Sequence, residues 1–258
     1  TKSLIYKILT PKSYSITSDK HNLEITSTSI PKYNFKKKYG GGIDNLSNEK
    51  VLYISVDGNF FIYDTKNKKL HKNEFKLNNY FNIRDIKVIS ELNSIAILGV
   101  TQNSNNCGHL ELNLYKFDFQ EKKLFLPDEE SENIWKSEEN CKFNPKTSGS
   151  RVEFKNNYFY ISTGIFQSPL NSGIIIENWS QKNSSSFGKI IKIDYLKKTY
   201  EIFASGFRNP QGLFFVDNEL FATDHGPKGG DEINLIKYKS NYGWPCISYG
   251  ILYSKSID

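Results

Sequence analysis

The sequence predicts an all-β fold, and the spacing of its strands predicts a β-propeller. Short β-branched and aromatic runs, separated by turn residues, recur along the 258 residues of the chain. These runs form groups that repeat about every 40–50 residues, which is the spacing of four-stranded propeller blades. No stretch keeps a 3.6-residue apolar period over three turns, so we expect few helices. An immunoglobulin-type sandwich is the alternative, but it rarely needs this length for one domain.

Individual strands are predicted by their turns as much as by their composition. Val51–Val56 and Phe60–Tyr63 form a hairpin, because the Asp-Gly-Asn sequence between them supplies the positive φ of a tight turn. Strands of the same composition follow at Tyr158–Ser162, Gly188–Asp194, Gly212–Val216 and Glu219–Thr223. The last two flank an Asp-Asn pair and predict a second hairpin.

The strand groups predict four clear blades, and the N-terminal segment, whose pairing is left open, allows a fifth. The groups lie near residues 45–70, 81–120, 150–203 and 207–240. Residues 121–149 and 165–187 are rich in Glu, Asn and Ser and are expected to be long loops. We expect residues 1–258 to form a single propeller domain that is incomplete at its C-terminus.

Composition excludes two classes of partner. No apolar run approaches the ~18 residues of a membrane span. The formal net charge is +6, but only three of the 34 basic residues are arginines, namely Arg84, Arg151 and Arg208. Nucleic-acid-binding proteins cluster basic groups on one face and often use arginine, whereas the lysines here are scattered. A lysine-rich solvated surface explains the charge, and no nucleic-acid partner is expected.

The three cysteines are Cys107, Cys141 and Cys246. They show no CxxC spacing and no paired histidine, which argues against a zinc site. Cys107 and Cys141 lie in polar stretches that are typical of loops, so we predict a disulfide between them and a location outside the cytoplasm, periplasmic or secreted. The sequence contains no Met, so we expect a processed or truncated chain from which an export signal has been removed.

Three motifs lie close together between residues 206 and 253. Gly-Phe-Arg-Asn-Pro-Gln-Gly-Leu begins at Gly206, Asp-His-Gly-Pro-Lys-Gly-Gly-Asp-Glu-Ile-Asn begins at Asp224, and Asn-Tyr-Gly-Trp-Pro begins at Asn241. This run resembles the soluble glucose/sorbosone dehydrogenase family, the pyrroloquinoline quinone (PQQ) dependent aldose sugar dehydrogenases. The resemblance is close from Gly188 to Tyr253. It implies a six-bladed β-propeller that oxidises the C1 hydroxyl of a sugar by hydride transfer to the quinone.

The first motif suits an anionic cofactor. PQQ carries three carboxylates and an ortho-quinone, so its pocket needs cations and amide donors, and Arg208 offers a planar fork of five donors. The resemblance implies that Arg208 and Asn209 contact PQQ, with Gln211 adjacent and Tyr253 a further contact. The alternative is that Arg208 only holds a loop between blades through backbone carbonyls. We expect the proline and glycine of the motif to form a turn that aims Arg208 inward.

The second motif suits a hard cation. Backbone carbonyls in a glycine-rich loop match the flexible oxygen coordination of calcium, and no Ser or Thr follows the lysine as a phosphate loop requires. The resemblance implies that the carbonyls of Gly226 and Pro227 bind the calcium that activates PQQ. It also implies that Glu232 and Tyr242 bind a second, structural calcium, the alternative for Glu232 being a solvated acidic turn.

One departure from the family concerns the general base. The family has a His four residues before an Arg, and counting back from Arg151 gives Thr147. A threonine hydroxyl does not accept a proton near pH 7, and losing a general base typically costs 10²–10⁴-fold in rate. His225 is interpreted as loop structure rather than a replacement. Two alternatives remain: a PQQ- and calcium-dependent sugar dehydrogenase with an unknown electron acceptor, or a catalytically degenerate propeller that binds a carbohydrate or a protein partner.

Overall fold

The computed structural model describes residues 12–17, 22–27, 40–103, 105, 107–118, 123–124, 131–139, 141, 148–166 and 178–251. Their regular structure is β-strand, apart from two 3-10 turns at Ser90–Leu92 and Trp179–Gln181. The chain divides into two compact units, Thr1–Lys36 and Lys37–Asp258. The first unit contains one antiparallel hairpin, β1 (Lys12–Thr17) with β2 (Asn22–Ser27), which gives the N-terminal segment its pairing.

The second unit contains four antiparallel sheets that follow one another along the chain. The first sheet is β3 (Gly42–Ser47), β4 (Lys50–Ile54), β5 (Asn59–Asp64) and β6 (Lys69–Lys76). The second is β7 (Asn82–Ile89), β8 (Ser94–Gln102), β9 (Gly108–Asp118), β10 (Lys123–Leu124) and β11 (Ser131–Lys136). The third is β12 (Val152–Lys155), β13 (Tyr158–Thr163), β14 (Lys189–Asp194) and β15 (Thr199–Ser205). The fourth is β16 (Pro210–Val216), β17 (Glu219–Asp224) and β18 (Glu232–Ile236).

These sheets are the four blades that the strand groups predict, and both predicted hairpins are present. β4 pairs with β5, and Gly58 in the turn between them has a φ of 85°. A Cβ at Gly58 would lie 2.1 Å from the carbonyl oxygen of Leu77, so no larger residue fits there. β16 pairs with β17 across Asp217, which also has a positive φ, of 52°.

Aspartate side chains link the first strands of the first three blades. The Val88 N–H of β7 donates to Asp44 Oδ2 of β3 at 2.8 Å. The Val152 N–H of β12 donates to Asp85 Oδ2 of β7 at 2.9 Å. Because a charge-assisted hydrogen bond is directional, each acidic side chain sets the position of one blade relative to its neighbour.

Three apolar clusters fill the spaces between successive blades. One joins the first and second blades, the next the second and third, and the last the third and fourth. The fourth blade also has an apolar outer face, where the β-sheet register aligns Phe214, Phe221 and Leu235 in one row. Phe214 and Leu235 are 39% and 36% exposed, and Ile233 in the next row is 76% exposed. This face carries the same residue types that the other blades bury.

Two local expectations are wrong. Residues 121–149 are not only loop, because they include β10 and β11, and β11 pairs with β9 as an edge strand. Its polar side chains hide the strand pattern, although Trp135 is buried.

The Arg-Asn-Pro-Gln-Gly motif does not form a turn either. Pro210 begins β16, and the register shifts between Pro210 and Gly212. A proline is compatible with the first position of a strand, and the extra residue makes a β-bulge at Gln211.

The predicted disulfide is confirmed, since Cys107 and Cys141 are bonded and Cys246 is a free, exposed cysteine. Among the described residues, one group of three potential metal-ligating side chains occurs, and it consists of these two half-cystines with Glu139. Sulfurs in a disulfide are not available as thiolate ligands, so this group is not a metal site. Across the same residues, no helix has the length and apolar character needed to cross a bilayer.

Replacing both half-cystines with serine is expected to lower the free energy of unfolding. The bond joins residues 34 positions apart, and in the chain-entropy model a loop of this size contributes about 3–4 kcal/mol. Urea unfolding of the C107S/C141S variant measures the loss, with C246S as the matched control that leaves stability unchanged. Finding three reactive thiols in the unfolded, unreduced wild type would contradict the assignment.

Candidate functional site

Each of the three arginines lies near the start of the first strand of its blade. Arg84 is the third residue of β7, Arg151 immediately precedes β12, and Arg208 lies two residues before β16. Arg151 donates from Nη1 to the carbonyl of Arg84 at 3.1 Å, and from Nε to the carbonyl of Gln211 at 2.7 Å. Arg151 therefore joins the second, third and fourth blades through backbone carbonyls.

Gly149 connects Arg84 to the Arg208–Asn209 segment. Its carbonyl accepts a hydrogen bond from Arg84 Nη2 at 3.2 Å, and its N–H donates to Asn209 Oδ1 at 2.7 Å. The residue has a φ of 55°, and a Cβ there would lie 2.6 Å from the carbonyl oxygen of Pro210. Only glycine meets both requirements without strain.

Arg208 holds the glycine-rich loop, as the alternative interpretation of the motif expected. Its Nη1 donates to the carbonyl oxygens of His225 at 2.7 Å and Gly226 at 2.8 Å. The guanidinium lies 5.4 Å from the ring centroid of Trp244, within the range of a cation–π contact, and the residue is buried. The site residues Arg208 and Gly226 are thus in direct contact.

Asp224 orients the same segment and was not predicted as a site residue. Its Oδ2 accepts the Arg208 N–H at 2.9 Å and its Oδ1 accepts the Asn209 N–H at 2.6 Å. Burial raises the pKa of Asp224 to about 6, although both backbone N–H groups act to lower it. The available signal was its position, immediately before the His-Gly-Pro motif and at the end of a strand.

Asp231 closes the glycine-rich loop. Its Oδ1 accepts the Gly226 N–H at 3.0 Å and lies 2.7 Å from His225 Nδ1. The hydrogen bond with His225 lowers the pKa of Asp231. These contacts support the interpretation of His225 as part of the loop structure, and they give Asp231 a role beyond that of a solvated acid.

A polar cleft lies beside this loop. It has a volume of about 530 Å³ and is lined by Gln211, Thr223, Asp224, His225, Asp231, Glu232 and Ile233. A smaller cavity adjoins it and includes Arg208, Gly226, Glu232 and Tyr242 in its lining. Five of the predicted site residues line these two neighbouring spaces, and Asp224 and Glu232 line both. The five are Arg208, Gln211, Gly226, Glu232 and Tyr242.

The remaining predicted residues have less direct places in the site. The Tyr242 hydroxyl donates to the Leu235 carbonyl at 2.6 Å and accepts the Lys237 N–H at 2.9 Å, so it stabilises the β18 turn. Pro227 is buried beside Gly226. Thr147 and Tyr253, the predicted base position and a predicted cofactor contact, lie outside the described residues.

The described residues do not fit calcium at the Gly226 carbonyl. Arg208 already supplies the cation that this oxygen binds, and a calcium ion 2.3–2.6 Å from the same oxygen would meet a like charge. Glu232 is different, since its Oε2 accepts from Asn234 Nδ2 while its side chain lines the small cavity with Asp224. Calcium bound by Gly226, Pro227, Glu232 and Tyr242 stays a prediction. Of these four predicted ligands, the geometry favours only Glu232.

The donor set does fit an anionic, carboxylate-bearing group. Arg84 is only 8% exposed, and its Nε and Nη1 have no hydrogen-bond partner among the described residues. Burial and the charge of Arg151 lower the pKa of Arg84 to about 10, so it stays a cation at neutral pH. Sequence reasoning did not assign Arg84 to the site, although the rarity of arginine in this chain was the signal.

Replacing Asp224 with asparagine is expected to change how stability depends on pH. A carboxyl whose pKa is raised on folding stabilises the protein below its unfolded pKa, and that stabilisation is lost as pH rises through the folded pKa. Folding raises the pKa of Asp224 from 3.8 to about 6, which corresponds to a loss of about 3 kcal/mol of stabilisation. The wild-type free energy of unfolding, measured in urea from pH 4 to 7.5, should therefore fall relative to that of D224N. Parallel curves would contradict this assignment.

The comparisons with known proteins point to one family. A sequence model described as Glucose / Sorbosone dehydrogenase matches residues 83–258. The aldose sugar dehydrogenase YliI of Escherichia coli is 50% identical over 56 residues, which is 21% of this chain and 15% of that protein. The quinoprotein glucose dehydrogenase B of Acinetobacter calcoaceticus is 40% identical over 68 residues, 26% of this chain and 13% of that protein.

A solved structure shares the fold. The PQQ-bound aldose sugar dehydrogenase of Streptomyces coelicolor aligns with a TM-score of 0.62 at 18% identity, covering 81% of this chain and 63% of that one. This chain therefore spans less than two thirds of the length of these relatives. The family model nevertheless covers more than half of the chain, and it includes all three arginines of the site. The chain belongs to the glucose/sorbosone dehydrogenase family.

Proposed function

We propose that this protein is a PQQ-dependent dehydrogenase that oxidises the C1 hydroxyl of an aldose sugar. The observation that carries the proposal is the contact between Arg84 and Arg151, which Gly149 and Asn209 link to the segment that carries Arg208. Guanidinium groups suit the carboxylates of a tricarboxylate cofactor, and this chain otherwise uses lysine. Family membership and the names of the relatives support the same class of reaction.

The residues of this chain would bind and orient rather than react. Arg84 and Arg151 would neutralise carboxylates, while Arg208 holds the carbonyls of His225 and Gly226 in place. When bound, PQQ supplies an ortho-quinone that accepts two electrons. The side chains of Gln211 and Glu232 line the cleft and would hydrogen-bond the hydroxyl groups of a sugar.

The site lacks a general base at the position where the family has one. Oxidation at C1 releases the proton of the hydroxyl group, and the residue at the family base position is Thr147. Because threonine is not a base at neutral pH, we expect turnover to be slow, by a factor on the order of 10²–10⁴. This residue favours the second candidate function, which is binding of a carbohydrate or a protein partner without turnover.

A location outside the cytoplasm, in the periplasm or secreted, belongs to the same proposal. The Cys107–Cys141 bond supports it, because disulfides persist in oxidising compartments. The electron acceptor is not identified by any residue of the site, and calcium is proposed on the Glu232 side of the small cavity alone.

Titration with PQQ, with and without calcium, tests the cofactor. We expect saturable quenching of protein fluorescence, followed by slow aldose-dependent reduction of an artificial electron acceptor. R208M is expected to weaken PQQ binding at least tenfold, because it releases the loop carbonyls. K197M removes an equal charge from an exposed position and is the matched control. If PQQ does not bind, the enzymatic proposal is wrong; if PQQ binds without any turnover, the second candidate function is favoured.

Replacing Thr147 with histidine tests the missing base. T147H is expected to raise the rate of sugar oxidation at least tenfold with little change in PQQ affinity, because an imidazole accepts a proton near pH 7. T147A is the control and should behave as the wild type does. A wild-type rate equal to that of T147H would mean that another residue already serves as the base.

A further inference from the structure

We propose that Arg84, with Arg151 beside it, forms a binding site for a carboxylate group on a small anionic ligand. The sequence motifs described above do not include Arg84. The carboxylate could come from the quinone cofactor, which rests on the proposed function, or from a free organic acid, which does not. The two sources share the chemistry that the pair recognises.

The first observation is the incomplete hydrogen bonding of Arg84. A guanidinium has five N–H donors, and in Arg84 only Nη2 has an acceptor, the Gly149 carbonyl at 3.2 Å. Nε and Nη1 are buried without a partner among the described residues. A buried donor with no acceptor is costly, and a native structure rarely keeps one on a charged group without a function.

The second observation is the charge balance around Arg84. Arg151 is a like charge close enough to lower the pKa of Arg84, and Asp85 is the carboxylate that offsets the two cations. Asp85 Oδ1 lies 3.6 Å from Arg151 Nη1, and its Oδ2 already accepts the Val152 N–H. Two arginines and one aspartate leave one positive charge, which a carboxylate would neutralise. The Arg151 side chain is 39% exposed whereas Arg84 is buried, so Arg151 is the member of the pair that solvent reaches.

Lys189 is a buried cation with a purely structural role, and its hydrogen bonding differs from that of Arg84. Lys189 is fully buried, and its Nζ donates to the carbonyls of Trp179 at 2.6 Å and Phe187 at 3.1 Å. Both contacts hold the segment before β14 against the sheet. The ammonium of Lys189 is thus hydrogen-bonded by backbone carbonyls of the protein. Arg84 Nε and Nη1, in contrast, have no hydrogen-bond acceptor in the described part of the chain. A planar carboxylate matches these remaining donors better than a sugar hydroxyl, which carries no charge.

The test measures anion affinity and apo stability together. Isothermal titration at low ionic strength gives the Kd for PQQ and, separately, for citrate, a carboxylate ligand with no quinone. R84M is expected to weaken binding of both at least tenfold while leaving the melting temperature of the apo protein equal or higher, since it removes a poorly paired buried charge. R84K keeps the charge but loses the fork, and should retain part of the affinity.

The control is K189M, which should lower the melting temperature without changing anion affinity in the folded protein. If citrate binding depends on Arg84 but PQQ does not bind the wild type, the anion site stands and the proposed function fails. If PQQ binds the wild type and R84M equally well, the site is wrong while the proposed function survives. A lower melting temperature with unchanged affinity in R84M, or no binding of either anion, overturns the proposal. Should R84M not fold, unchanged affinity in R84K overturns it as well.

Discussion

Side chains on or beside the first strands of the first three blades bind the backbone of a neighbouring blade, and the site depends on these contacts. Asp44 and Asp85 accept backbone N–H groups from the next blade, and Arg151 donates to the backbone on both of its sides. These directional bonds set the positions of neighbouring first strands relative to one another. The same contacts keep charged groups buried. Assembly of the blades and formation of a cationic centre therefore depend on the same hydrogen bonds.

Burial gives these groups unusual proton affinities. It raises the pKa of Asp85 and of Asp224 to about 6 and lowers that of Arg84 to about 10. Asp224 keeps both oxygens hydrogen-bonded and therefore acts as a rigid support for the Arg208–Asn209 backbone. Arg84 keeps most of its donors unused. The contrast separates a structural role from a binding role within one network, and proteins commonly give up stability at binding sites in this way.

The sequence predicted the blades well because alternating apolar residues and Asp-Gly or Asp-Asn turns are local signals. It missed β11, since an edge strand with polar side chains has the composition of a loop. The motifs around Arg208 and Gly226 were predicted to serve one site, and these two residues are in direct contact. The bond from Arg208 to the Gly226 carbonyl and the support from Asp224 were not predictable, because both depend on how β16 and β17 pair within the fourth blade. The participation of Arg84 was not predictable because it depends on contacts between blades. Asp85 is a further example, as its partner lies 67 positions away.

The central claim is that the starts of the first strands form a cationic pocket for a carboxylate-bearing ligand. A crystal structure of the protein grown with PQQ tests it most directly. We expect a carboxylate of the ligand within hydrogen-bond distance of Arg84 Nε or Nη1, with the Arg151 guanidinium on its other side. Density for the ligand at a different surface, or Arg84 Nε and Nη1 bonded to protein oxygens in that crystal, would contradict the claim.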